Sequence, residues 1–431
     1  MIRRGRDACA RLLPLVLALA SPAAWPVEEW EVSAGTTGVL VEDHRVPLVD
    51  VRVEFAAGTW MPWFREAHAE EAFEIQLHDS AGRLRRRADE LALSIDLDAG
   101  ARSSEIRLSC RKDDLRAALG LVREVLANRD FDRGEISRRK AGRRIGWKAS
   151  LKEPGFVLDQ AMARQLFERA DPRREPLEKP RPVLADAERL AAARDALVRL
   201  PGRVIGFAGD LTLEEARSLA SDLLPPASDA ALAGLEPALG PITPAAARPT
   251  GQALRLPRLT QAYFAYGRES LSFHEADYPA SMIADHVLGG HFNSRLMVAL
   301  RHEGGETYGA AVENGGGHEP GPYALTTFTR LENATATEQK LRAVLARFHA
   351  EGITEGERAA AAGSLVGSRS FARQSPGQLL GEYLWERRLG LPHGFKDDLS
   401  RSAASLGLDD VNAFIARFYD PALFTMLRLA P

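Results

Sequence analysis

The sequence predicts an α+β protein made of two similar halves, and three observations carry that expectation. Strand-like alternation and helix-like spacing of apolar residues recur in the same order in each half. A Pro/Ala/Gly-rich stretch without periodicity separates them. The length of 431 residues exceeds what one hydrophobic core ordinarily fills.

Residues 1–24 read as a secretory signal peptide. Arg3, Arg4, Arg6 and Arg11 precede the apolar run Leu12–Ala20, and Ser21, Ala23 and Ala24 supply small residues for cleavage. The run is shorter than a comfortable membrane span, so a periplasmic or secreted protein without a membrane span is expected. Cleavage leaves Cys110 as the mature chain's cysteine, which forms no intramolecular disulfide and is expected to be buried.

The first half, 30–235, opens with strands through Gly38–Val53. Helices follow at Glu66–Leu77, Ala88–Leu97, Asp113–Leu126 and Arg133–Leu151, then a strand at Arg203–Ala208 and a helix at Leu213–Leu224. Arg83, Arg85, Arg86 and Arg87 run into Asp89 and Glu90, the pattern of a solvated helix start. The linker, 236–252, carries Pro237, Pro241, Pro244 and Pro249.

The second half, 253–431, reads as strand over Ala253–Gly267, helix over Tyr278–Leu288 and Asn293–Leu300, and strand over Thr307–Glu313 and Tyr323–Thr329. A helix at Thr335–Glu351 follows, and Phe395–Leu399, Leu408–Tyr419 and a strand at Phe424–Leu429 close the chain. Each half thus runs strands, helices, strands, helices and a final strand, with helices covering one sheet face. A degenerate duplication is the economical account.

Hydrophobic content of 45% and charged content of 27% are those of a folded soluble chain. A net charge of -3 excludes the basic stripe of a nucleic-acid binder. The sequence holds no phosphate loop, GxGxxG or serine elbow. The glycine-rich stretch Asn314–Pro322 reads as a hairpin connection.

The most specific stretch is Leu288-Gly289-Gly290-His291-Phe292-Asn293-Ser294-Arg295-Leu296-Met297, then Leu300-Arg301, then Gly305-Glu306-Thr307-Tyr308-Gly309. Gly289-Gly290 permits a sharp reversal. Phe292, Leu296, Ala299 and Leu300 then recur at helical spacing, and Gly304-Gly305 ends the helix. Arg301 falls on its last turn and Tyr308 opens the next segment, so the two converge.

Taken with Gly38–Val53, Phe55–Trp60, Ala88–Leu91, Gly100–Ala101 and Val204–Asp210, this order resembles the insulinase/pitrilysin metallopeptidase superfamily, which includes mitochondrial processing peptidase. The resemblance implies two similar α+β domains forming half of a clam-shell peptidase chamber. It gives Arg301 and Tyr308 the task of holding substrate and stabilising the tetrahedral intermediate, with Gly289 and Gly290 also on the substrate side. A guanidinium and a phenol offer the directed donors such an oxyanion needs.

The resemblance also places a zinc motif, H-x-x-E-H with a further Glu roughly seventy residues later, on the helix within Arg65–His78. No H-x-x-E-H is present there. One frame puts Phe73–Leu77 on the motif, with no donor at either histidine position; another puts His68–Ala72 there and keeps one His and Glu71. Arg144–Lys148 carries no carboxylate for the distal ligand. The expectation is a chain that binds no metal or other cofactor, with zinc supplied by a partner subunit. A divergent ligand set of His68, Glu71, His78 and Glu153 stays open.

Retained Arg301 and Tyr308 without a zinc motif imply the substrate-binding subunit of a heterodimeric periplasmic zinc peptidase acting on peptides. The alternatives are a noncatalytic binding or scaffold protein of the cell envelope, and a self-sufficient metallopeptidase with divergent ligands.

Overall fold

The computed structural model describes residues 25–77, 82–128, 130–168, 171–174, 186–228 and 251–431. The signal-peptide segment, most of the linker and His78 lie outside the described residues.

The first sheet contains β1 (Val27–Ser33), β2 (Thr36–Glu42), β3 (Leu48–Phe55), β4 (Ser94–Ala99), β5 (Ser104–Arg111) and β6 (Arg203–Gly209) in the order β1-β2-β6-β3-β5-β4. The second contains β7 (Gln252–Arg255), β8 (Gln261–Glu269), β9 (Ala310–Asn314), β10 (Pro322–Arg330) and β11 (Thr425–Ala430) in the order β7-β11-β8-β10-β9. Without the edge strand β1 the two orders coincide position by position. Even the parallel pairs correspond: β2 with β6, and β7 with β11. The duplication expected from the sequence is therefore present in topology.

Period-two alternation sets the faces. On β3, Val49, Val51, Val53 and Phe55 enter the core while Asp50, Arg52 and Glu54 take the opposite face. The first-half helices are α1 (Pro62–Ala67), α2 (Ala69–Leu77), α3 (Arg83–Glu90), α4 (Leu115–Ala127), α5 (Arg133–Ser150), α6 (Pro154–Leu166), α7 (Ala187–Arg199) and α8 (Leu213–Ala220). Leu119 and Val122 of α4, Phe73 of α2 and Leu197 of α7 complete that core. Cys110 is buried in it, and burial pushes its thiol up to about 11, which leaves it unreactive at neutral pH.

The second-half helices are α9 (Tyr278–Gly289), α10 (Arg295–Met297), α11 (Ala334–Glu351), α12 (Glu355–Arg369), α13 (Pro376–Arg388), α14 (Phe395–Ser405) and α15 (Leu408–Phe418). Ile283 of α9, Leu345 of α11 and Phe414 of α15 pack on Phe264 and Leu325.

Cover is not confined to one sheet face, because each half lends a helix to the other. Leu158, Met162 and Leu166 of α6 pack on Ala265, Leu427 and Leu429 of the second sheet. Leu379, Leu380 and Leu384 of α13 pack on Val39, Val41 and Val204 of the first. Gly206 makes room for this crossing, since a Cβ there would come 2.9 Å from Leu380 Cδ1.

Three local readings change. The expected helix at Ala88–Leu97 stops at Glu90, and positive φ at Ala92 turns the chain into β4. Ala253–Gly267 is two strands, broken at Arg258 with φ 74. The helix at Glu66–Leu77 is interrupted by His68, whose φ of 53 is left-handed.

Candidate functional site

The site builds outward from the end of α9. A Cβ on Gly289 would lie 2.4 Å from the Val312 backbone N, so only glycine lets α9 approach β9 this closely. Gly290 has φ -84, an ordinary right-handed value, and a Cβ there would come 2.7 Å from His286 Cα. The pair serves close approach rather than a left-handed reversal. Gly289 is buried and Gly290 exposed. Asp285 fastens α9 from below, accepting from Tyr419 Oη at 2.6 Å, Tyr323 Oη at 2.8 Å and Asn314 Nδ2 at 2.8 Å. Burial raises its carboxyl above the ordinary range, and these hydrogen bonds offset part of that rise.

After Ser294 the short helix α10 widens into a π turn at Val298–His302, where Glu303 N donates to Val298 O at 3.0 Å. Such turns depart from the regular 3.6-residue spacing and often mark functional positions. Leu296, Met297 and Leu300 anchor the turn in the core. Arg295 holds it from the side: Nε and Nη2 each donate at 2.8 Å to the Glu357 carboxylate, and the guanidinium stacks 5.3 Å from the Phe348 ring. Glu357 also closes the capping box of α12 with Thr354. The Arg295 hydrogen bond is the main reason its carboxyl is held down at about 2.

The sequence-predicted pair comes together at this turn. Arg301 Nη1 donates to the Tyr308 carbonyl at 3.1 Å, and its guanidinium lies 4.9 Å from the Phe292 ring. No carboxylate pairs with Arg301 among the described residues. Tyr308 is 76% exposed and Phe292 59%. The result is a partly solvated guanidinium with donors to spare, held by the Tyr308 carbonyl and lying over the Phe292 ring. That set suits a peptide carbonyl, a carboxylate or an oxyanion.

The first half does not gather the candidate metal ligands in the same way. His68 is buried, with Nδ1 3.5 Å from Glu70 Oε1. Glu153 occupies the N-cap position of α6. Glu71 accepts from Arg139 Nη1 at 2.9 Å and from Arg143 Nε at 2.6 Å. Among the described residues no three His, Cys, Asp or Glu side chains form a group able to hold a metal ion. The described members of the candidate set do not fit a catalytic zinc, which needs ligands whose lone pairs are uncommitted, because both Glu71 oxygens are taken by Arg139 and Arg143.

Between the halves a cleft of 490 Å³ is lined by Arg52, Glu54, Glu105, Trp385, Arg388 and Lys396 among others. Burial raises the Glu54 carboxyl to about 7 even though Arg388 pairs with it. The Asn314–Pro322 stretch is the expected β9–β10 hairpin loop, and it is tied to the first half by Arg102 on Glu319 and by Arg173 Nη1 on Pro320 O at 2.7 Å.

Residues 185–365 match the family described as the peptidase M16 inactive domain. The chain is similar in structure to a peptidase M16 inactive domain from Pseudomonas fluorescens, with 23% identity and a TM-score of 0.78 over 94% of this chain and 98% of that one. It is similar to a protease from Helicobacter pylori at 13% identity and a TM-score of 0.76, over 94% of this chain and all 100% of that one. The periplasmic protease PqqL from Escherichia coli matches at 14% identity and a TM-score of 0.73, over 99% of this chain and 49% of that one. No curated protein matches the chain significantly. The insulinase-type resemblance and the α+β fold read from the sequence are both borne out.

Proposed function

We propose, taking as premise that this is an insulinase-superfamily chain carrying an M16 inactive domain, that it is the zinc-free, substrate-binding subunit of a heterodimeric periplasmic zinc peptidase acting on peptides. The carrying observation is the uncompensated Arg301 guanidinium beside exposed Tyr308 and Phe292. An arginine kept in place with no carboxylate partner among the described residues has donors to offer a guest from outside. Its natural guest is a peptide carbonyl, whose developing oxyanion it would stabilise across the chamber together with Tyr308. Zinc and the general base would come from the partner. Gly289 and Gly290 shape the turn that presents the pair. PqqL, at about twice the length, is a periplasmic protease, which supports the same compartment for this chain.

The test reconstitutes the chain with a zinc-bearing subunit of the same superfamily. Alone it should hydrolyse no peptide. In the pair, Arg301→Ala with Tyr308→Phe should lower kcat/KM by roughly 100-fold or more. Full activity of the doubly substituted pair would leave a binding or scaffold role instead, and chelator-sensitive activity of the chain alone would point to a self-sufficient enzyme.

A further inference from the structure

We infer that Arg139 and Arg143 act as a built-in cation, standing against the α2 carboxylates where the superfamily resemblance would set a metal and closing that face to divalent ions. This rests on the zinc-free part of the reading above but requires no partner subunit.

The sequence resemblance places a distal glutamate roughly seventy positions after the α2 motif. In this chain that position falls within Arg144–Lys148, which carries no carboxylate, and it is the preceding Arg143 that meets Glu71, at a separation of 72. The contacts are directed. Glu71 Oε2 accepts from Arg139 Nη1 at 2.9 Å and its Oε1 from Arg143 Nε at 2.6 Å, so both of its oxygens are engaged. Glu70 Oε1 accepts from Arg143 Nη2 at 2.7 Å, and Glu74 Oε2 from Arg139 Nη2 at 3.3 Å. Arg139 Nε reaches back to Glu135 Oε1 at 3.0 Å, and Arg138 holds the other Glu135 oxygen.

A dication entering here would meet a Glu71 carboxylate with both oxygens already committed and two fixed positive charges within hydrogen-bond distance. Guanidinium keeps its charge at any pH the fold survives, and its planar fork matches carboxylates. The Glu71 carboxylate is therefore clamped between two guanidiniums. A metal would polarise water in this place; a guanidinium pair only neutralises and fastens α5 to α2.

The test uses the full mature chain and needs no activity. Metal content is measured after incubation with zinc or manganese and gel filtration, alongside thermal melts with and without those ions. Wild type should carry no stoichiometric metal and show an unchanged Tm. Arg139→Gln with Arg143→Gln should melt lower, and zinc or manganese should bind at about one equivalent and return several degrees. Adding Glu71→Gln should abolish that rescue. If the double variant does not fold, Arg143→Gln alone is read in the same way. Stoichiometric zinc in wild type, or a variant indifferent to both ions, would overturn the inference.

Discussion

Arginine is used in opposite ways at the α2–α5 contact and at the turn after α9. In the first half Arg139 and Arg143 are saturated by Glu70, Glu71, Glu74 and Glu135. In the second half Arg301 has a backbone carbonyl and a phenyl ring but no carboxylate among the described residues. Two similar domains have thus diverged in how a charge is compensated, with little change of topology. A saturated arginine holds structure; an unsaturated one is available to a ligand. Arg388 lies between these extremes, because its partner Glu54 is so deeply buried that pairing does not restore an ordinary carboxyl.

That intermediate case carries the largest expected effect. Burial raises Glu54 from 4.5 to about 7, Glu105 adds to the rise, and Arg388 opposes it. A raised folded-state value means the stability is fully present below pH 4.5 and is lost as pH rises through about 7. Chemical denaturation of wild type should therefore show a loss of up to about 3 kcal/mol between pH 4.5 and 8 attributable to this group. Glu54→Gln should remove that slope. A slope unchanged by the substitution would mean that Arg388 compensates Glu54 fully, and the graded comparison would collapse to two classes.

Arg295 tests the saturated class within the same segment as Arg301. Arg295→Met should cost about 2 kcal/mol at pH 7, less than a fully buried pair because both partners are partly solvated. Glu357 is depressed from 4.5 to about 2, so its contribution is present above pH 4.5 and disappears as pH falls through 2. The gap between wild type and variant should close over that window. A gap independent of pH would assign the loss to packing on Phe348 instead of charge.

How much of this was legible follows from sequence separation. The duplication shows because alternation within each strand is local, as in Val49, Val51, Val53 and Phe55. The crossing helices α6 and α13 are not read from the sequence because their apolar residues answer to a sheet of the other half. In α13 the buried Glu382 and Glu386 also break the apolar stripe, tolerated only because Arg369 and Arg373 pair with Glu382 and Gly394 N donates to Glu386. The Arg301–Tyr308 contact spans seven positions and is visible in one stretch of text. The contacts of Glu71 with Arg139 and Arg143 span 68 and 72, and those of Asp285 with Tyr323 and Tyr419 span 38 and 134. No local pattern announces them.

The smallest stability effects belong to the pair with the largest expected functional one. Arg301→Ala removes one hydrogen bond to a backbone carbonyl and a cation–π contact with an exposed ring. Both are solvated, so the change should lie within about 0.5 kcal/mol by chemical denaturation at pH 7. Tyr308→Phe should be smaller still, since its phenol is exposed. A loss above about 2 kcal/mol for Arg301→Ala would mean that this arginine, like Arg295, is a fastening of the π turn. Its lack of a carboxylate would then reflect a structural role met by the Tyr308 carbonyl, and the contrast between the two halves would no longer separate structure from binding.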